Sequence, residues 1–289
     1  MSSQLVAVIT GGASGIGKAL SQLAAARGMA VAVADIEAER AEATAAEITA
    51  AGGKARGFVC DVTNPASLAD LAGAVRAEWG AANLLFNNAG VCGGSTLEAT
   101  SAADAQWTLS VNVMGLIHTT QAFLPLLREA AGRGELARII NTGSENSVGL
   151  PALGPTTVYT ASKHAVLGLS DGLRRDLKDS GIAVSVLCPG FVQTDIYDSY
   201  RNRPNDFGGE KRVSAKRAEM VVGMMEKIAQ TPDVTARICF DGIDGNEFII
   251  IADPRIRVFA EKRHAEVAAA LDRTDARLAA LGESYPAYA

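Results

Sequence analysis

The chain has 289 residues, 48% of them hydrophobic and 20% charged, enough to bury one large core without a second domain. Its formal net charge is −5, with no Lys/Arg block, which argues against nucleic acid as a partner. Cys60, Cys92, Cys188 and Cys239 are widely spaced and lack zinc-type intervals, so they read as free thiols in a reducing compartment. No apolar run reaches the ~18 residues of a membrane helix, and the first strand follows Met1–Gln4 directly, leaving no room for a signal peptide. The expected location is the cytoplasm, with no membrane partner.

Leu5–Ile9 is a short apolar run of the kind buried in a parallel sheet. Thr10-Gly11-Gly12-Ala13-Ser14-Gly15-Ile16-Gly17 follows, and Lys18–Arg27 reads as a helix. Strand, glycine turn and helix make half of a dinucleotide-binding unit: the backbone comes close to a pyrophosphate and the helix N-terminus offers free N–H groups. The spacing Gly11-x3-Gly15-x-Gly17 departs from the common fingerprint, and a glycine turn without a ligand is the plain alternative. A second strand, Ala30–Ala34, ends in Asp35, 18 residues after Gly17. An acid near that offset accepts from both ribose hydroxyls of NAD and repels the 2′-phosphate of NADP. No cation follows at Ile36 or Glu37, and Gly12 supplies none; Asp35 could instead cap the next helix.

Ile36–Ala51 is helical, Gly57–Cys60 a third strand, Pro65–Trp79 a helix opened by proline, and Leu84–Phe86 a fourth strand. One long helix is expected over about 103–131. It carries Asn112, an amide that must find partners in apolar surroundings and so could be a satisfied core residue. Arg138–Thr142 is a fifth strand leading to Ser144, with Ser147 as a rival hydroxyl. A helix then runs to about Ser180. Tyr159 and Lys163 share one of its faces, one turn apart. A free phenol titrates near ~10, and a neighbouring cation would lower that value. Alone this pair is common; with the glycine turn it points to proton transfer at an alcohol oxygen.

Ala183–Cys188 is a sixth strand, followed by Pro189-Gly190-Phe191-Val192-Gln193-Thr194. Residues 195–213 are polar and carry Tyr197, Tyr200 and Phe207, which could stack on an aromatic substrate or staple the segment to the body. Ala215–Gln230 is a helix, Asn246–Ile251 the last strand, and Val258–Leu281 a charged helix, mostly a solvated face. His164 reads as a packing or surface residue. His118 and His264 lack acid or Cys neighbours at ligand spacing, so no metal site is expected.

Taken together, Thr10-Gly11-x3-Gly15-x-Gly17, Asp61-Val62, Asn87-Asn88-Ala89-Gly90, Asn112, Ser144, Tyr159-x3-Lys163 and Pro189-Gly190 resemble the short-chain dehydrogenase/reductase family in its single-domain branch. The resemblance covers residues 5 to about 195. It implies an α/β fold: one doubly wound Rossmann-type parallel sheet with helices on both faces, a single domain over 1–289. It implies a substrate lid at about 195–230, with 195–213 its mobile part; the C-terminal helix at about 258–281 is extra, a departure from many relatives. It further implies a nicotinamide cofactor, here NAD rather than NADP, held by Gly11, Ser14, Gly15, Ile16, Gly17, Asp35, Asp61, Val62, Asn88, Ala89, Gly90, Tyr159, Lys163, Pro189, Gly190, Val192 and Thr194. Asp61 would meet the adenine amino group, the small residues at 88–90 the adenine ribose, Val192 the carboxamide, and Thr194 the carboxamide or pyrophosphate.

By the same resemblance Tyr159 is the general acid or base, Lys163 binds ribose and lowers the tyrosine pKa, Ser144 orients the substrate oxygen, and Asn112 holds a relay water. Ala161, Ala165 and Gly168 would form a subunit-pairing face of a homodimer or homotetramer. Two departures stand out: Asn83 occupies a position where the family often has Asp, and the Ser144–Tyr159 interval of 15 residues is long, which should bulge 148–155 without moving Ser144. The expected function is hydride transfer between NAD(H) and a secondary alcohol or ketone, with bulky aromatic carbinols as candidates. The other class is a nucleotide-sensing or regulatory protein that has lost turnover, against which the full Asn112, Ser144, Tyr159 and Lys163 set counts.

Overall fold

Seven strands form one sheet in the order β3-β2-β1-β4-β5-β6-β7, every pair parallel. The strands are β1 (Val6–Thr10), β2 (Ala30–Asp35), β3 (Lys54–Val59), β4 (Leu84–Asn87), β5 (Arg138–Thr142), β6 (Ala183–Cys188) and β7 (Ile249–Ile251). This is a computed structural model; it describes residues 4–93, 95–151, 154 and 156–285, with only the backbone at 217. Parallel neighbours need crossovers, and helices supply them: α1 (Gly15–Ala26), α2 (Ala38–Ala50), α3 (Pro65–Trp79), α4 (Ala102–Leu109), α5 (Gly115–Gly132), α6 (Thr157–Asp176), α7 (Ala215–Ile228), α8 (Pro232–Asp244) and α9 (Arg257–Leu281).

Successive side chains of β1 enter opposite cores. Val6 and Val8 join a cluster with Leu68 of α3 and Phe123 and Leu127 of α5. Ala7 and Ile9 join another with Leu20 of α1 and Phe240 of α8. Both faces are therefore covered, which explains why these strands read as unbroken apolar runs. Strand order reverses between β1 and β4, and ligands of open α/β sheets bind beyond the carboxyl ends of the strands at such a point.

The expected doubly wound, single-domain sheet is what the structure has, with local differences. The long helix expected over 103–131 is α4 and α5 joined by a π turn at Ser110–Met114. The extra residue of a π turn widens the helix and lets a buried side chain turn off the regular face; Asn112 is in that turn and buried. The strand expected at 57–60 begins at Lys54, the Tyr159 helix ends at Asp176, and the last strand starts only at Ile249. Asn246 is left-handed (φ 55°) and does not continue a strand. Helix α8 was not anticipated. Pro232 at its first turn and the buried face Ala236, Cys239, Phe240 and Ile243 were readable signals. Among the described residues no helix is long and apolar enough to cross a membrane. The four cysteines are unbridged.

Candidate active site

One cavity of about 620 Å³ runs across the carboxyl ends of the central strands, and it is lined at one end by the glycine turn and at the other by Ser144 and Tyr159. The turn after β1 is tightly built. A Cβ on Gly17 would lie 2.0 Å from the Gly11 carbonyl oxygen, and one on Gly15 would lie 2.8 Å from Thr194 Cγ2. Gly11 and Gly15 also have positive φ, 62° and 49°. Helix α1 carries no side-chain cap at Ser14, so its first N–H groups are left to the cavity, where Ser14, Gly15, Ile16 and Gly17 line the wall. That arrangement fits an anionic pyrophosphate.

The adjoining acid is Asp35, buried at the end of β2. It accepts from Ala13 N and Glu37 N, each at 3.1 Å. Burial raises its pKa against those two hydrogen bonds. Around it the fold assembles charges the sequence did not juxtapose. Glu37 accepts from Arg201 at 2.9 Å and Arg40 at 3.1 Å, and Arg40 reaches Asp195 at 3.1 Å. Burial opposes the charge of Glu37, but the Arg201 and Asn202 bonds and the Arg40 charge outweigh it and its pKa falls. Asp61 and Val62 line the same wall, and Asp61 accepts from Thr63 N and Oγ1 at 2.8 and 2.7 Å.

Asn88 staples the β1 turn to β4: its Nδ2 donates to Thr10 O at 3.1 Å and Gly11 O at 3.2 Å, and its Oδ1 accepts from Thr142 Oγ1 at 3.3 Å. Ala89 and Gly90 follow it along the cavity. A Cβ on Gly90 would stand 3.5 Å from both Asn112 Oδ1 and Lys163 Nζ.

Ser144 caps the short turn 145–147, accepting from Asn146 N at 3.2 Å. Its hydroxyl also bonds the Tyr159 phenol. Ser147, the rival, is spent elsewhere: its Oγ donates to Lys163 O at 2.7 Å and accepts from Ser144 N at 3.1 Å, fastening the loop to α6. Lys163 Nζ donates to Thr142 O at 2.8 Å and lies 5.7 Å from the Tyr159 ring centroid. The Asn112 amide is fully engaged, accepting from Val91 N at 2.8 Å and donating to Val91 O at 3.0 Å and Ser162 Oγ at 2.9 Å. It braces the β4 loop against α6.

Electrostatics differ from the sequence expectation. Burial pushes the Tyr159 phenol up, with the Ser144 bond only partly opposing it. Burial pushes Lys163 down to about 8. A lowered tyrosine pKa was expected from the nearby ammonium; desolvation of both groups overrides that pairing in the free protein.

Pro189, Gly190, Val192 and Thr194 border the cavity. Pro189 O accepts from Glu145 N at 2.7 Å, and Gln193 N donates to Gln230 O at 2.9 Å, so this loop is tied to the Ser144 loop and to the end of α7. Segment 195–213 is not loose. Tyr200 packs on Trp107 with centroids 5.1 Å apart, Phe207 packs on the core, and Arg203 meets Asp104 at 2.7 Å. Of the three aromatics, Tyr200 and Phe207 staple the segment and Tyr197 lines the cavity. In the long 148–155 interval, residues 152, 153 and 155 lie outside those described; Gly149 packs directly beneath Phe259 of α9. The rest of α9 buries no residue. Ala161 and Gly168 of α6 face outward, as does His164. Among the described residues no group of three His, Cys, Asp or Glu could hold a metal.

Residues 5–205 match the model of the family described as short chain dehydrogenase. The chain belongs to this family. A curated relative, the C alpha-dehydrogenase of Sphingobium sp. strain SYK-6, is 31% identical over 258 residues, 89% of this chain and 83% of its own. The (2S)-[(R)-hydroxy(phenyl)methyl]succinyl-CoA dehydrogenase subunit of Thauera aromatica is 32% identical over 214 residues, 74% of this chain and 84% of its own. Among solved structures, a family member from Burkholderia phymatum in complex with NAD superposes with a TM-score of 0.82 at 31% identity, covering 99% of both chains. One from Sphingobium yanoikuyae in complex with NADPH gives 0.71 at 25% identity, covering 99% of this chain and 98% of that one.

Proposed function

We propose that this family member is an oxidoreductase that moves a hydride between NAD(H) and a secondary alcohol or ketone, preferring bulky aromatic carbinols. The observation that carries the reading is the convergence of Ser144 and Tyr159, bonded to one another, at one end of a cavity whose other end is the uncapped start of α1. Bound nicotinamide would supply the hydride acceptor or donor, held by the glycine turn, Asp35, Asp61, the 88–90 loop, Lys163 and the 189–194 loop. Asp35 stands where it accepts from ribose hydroxyls and would face a 2′-phosphate, while the Glu37 charge is answered by Arg40 and Arg201. NAD is therefore the preferred form.

Tyr159 exchanges the proton of the reacting oxygen and Ser144 orients that oxygen. In the free protein the phenol is protonated at neutral pH, the form that donates to a ketone; alcohol oxidation requires it to be deprotonated first. Asn112 fixes the loop that carries Gly90 and Val91 beside Lys163. The substrate end is walled by Phe191, Ile196, Tyr197, Val221, Met224 and Met225. A flexible methionine pair and aromatic walls suit a large apolar ring, and the Thauera relative acts on a benzylic carbinol by its name. Segment 195–230 acts as a lid. The outward small-residue face of α6 supports a homodimer or homotetramer, and the unbridged thiols suit the cytoplasm. The test is a panel of secondary alcohols and ketones followed by NADH and NADPH absorbance, with Tyr159→Phe beside the wild type. Wild-type turnover falling about 100- to 10,000-fold in the variant, with NADH binding kept, supports the reading. Equal rates in both remove it, and NADH binding without turnover on the whole panel points to the sensor class instead.

A further inference from the structure

Glu145 follows Ser144 directly and lines the same end of the cavity. Its backbone is committed: N donates to Pro189 O at 2.7 Å and O accepts from Gly149 N at 3.0 Å. Its half-buried carboxylate makes no ion pair or hydrogen bond among the described residues. The charged and titratable groups around it are Asp253, Arg255 and, on α6, Tyr159. Arg255 is already clasped by Asp253 at 2.6 Å. Burial, then the Asp253 charge, raise Glu145 to about 7, with Arg255 opposing. Among the described residues no group donates a hydrogen bond to this carboxylate, and partial removal from water leaves it short of donors.

We infer that Glu145 is a specificity-determining residue that accepts a hydrogen bond from a second hydroxyl on the substrate, one or two carbons from the carbinol being oxidised. Glu145 lines the same cavity as Ser144 and its charge is felt at the Tyr159 phenol, which sets its carboxylate near a substituent next to the oxygen Ser144 orients. A neutral hydroxyl suits the site better than an ammonium, which would have to give up its own hydration to enter it. The inference rests on the dehydrogenase reading for the placement of the carbinol.

The test compares 1-phenyl-1,2-ethanediol with 1-phenylethanol in the wild type, Glu145→Gln and Glu145→Leu. Preference for the diol in kcat/KM of about 10- to 100-fold is expected in the wild type, the worth of a hydrogen bond to a charged acceptor. It should shrink in Glu145→Gln, which keeps an acceptor oxygen, and vanish in Glu145→Leu. A second readout needs no turnover. Diol binding to the NADH complex near pH 7, measured by calorimetry in buffers of different ionisation heat, should release protons in the wild type and not in Glu145→Gln, because the hydroxyl stabilises the carboxylate. If the wild type oxidises neither alcohol, the dehydrogenase reading falls and proton release alone decides the role of Glu145. No diol preference in an active wild type, a preference that survives in Glu145→Leu, diol binding without proton release, or 2-amino-1-phenylethanol preferred over the diol overturns the assignment.

Discussion

Replacing Lys163 with Met should stabilise the free protein near neutral pH while removing its activity. Lys163 is 4% exposed, and its ammonium donates to Thr142 O. Its fall from 10.5 to about 8 corresponds to roughly 3 kcal/mol of preference for the neutral amine. Below pH ~8 both folded and unfolded chains hold the proton, so the folded state bears that penalty in full. Between about 8 and 10.5 the unfolded chain binds more protons, and the stability of the wild type rises with pH through that window. Met fills a similar volume without charge but leaves Thr142 O unpaired, at about 1 kcal/mol. The variant should therefore be more stable by about 2 kcal/mol near pH 7 and less stable by about 1 kcal/mol near pH 10.5. Urea unfolding of both proteins at equal concentration and both pH values measures this, and shifts from groups that do not feel the Lys163 charge cancel in the difference. A stability difference that stays constant across the pH range would refute the argument. The trade is the one expected where a site holds a costly group for function.

Asp35→Ser with Ile36→Arg should move the NADPH/NADH ratio of kcat/KM upward by at least about tenfold, since a carboxylate facing a phosphate costs several kcal/mol; an unchanged ratio removes Asp35 as the discriminator. Gly17→Ala drives a Cβ to within 2.0 Å of Gly11 O, so the turn must shift and kcat/KM should drop on the order of 100-fold, while full activity would show the turn has slack. Arg201→Ala cuts the link between segment 195–202 and Glu37; limited proteolysis should then open this segment faster than in the wild type, and NADH with a ketone should protect the wild type. Identical digestion of both proteins, with and without ligands, would deny that the segment is a lid.

Much of the fold was legible because its causes are local. Strands buried on both faces are mostly apolar, so β1, β2, β4, β5 and β6 announce themselves by their apolar runs. The β1–α1 turn has its glycines where backbone meets backbone, and the Tyr159–Lys163 spacing follows from helical pitch alone. Features that failed to show depend on partners distant in sequence. The π turn exists where Asn112 turns to Val91, 21 residues away, and nothing in Ser110–Met114 signals it. Whether Tyr200 and Phe207 stack on substrate or on the body was open until Trp107 and the core were seen beneath them.

Charge was the least legible quantity. Arg201 reaches Glu37 across 164 residues, so the apparent lack of a cation near Asp35 held only along the chain. Sequence pairs the lysine with the tyrosine and so implies a depressed phenol pKa. The fold draws both away from water, and that desolvation is the largest influence on each, upward for the phenol and downward for the ammonium. Glu145 is one more polar residue in a loop until β6, Pro189 and Asp253 enclose it. Residue types and spacing determined the sheet, the glycine turn and the members of the proposed proton-transfer set; the tertiary structure decided which charges those members face, because distance in space and loss of water set an ionisation and neither is written along the chain.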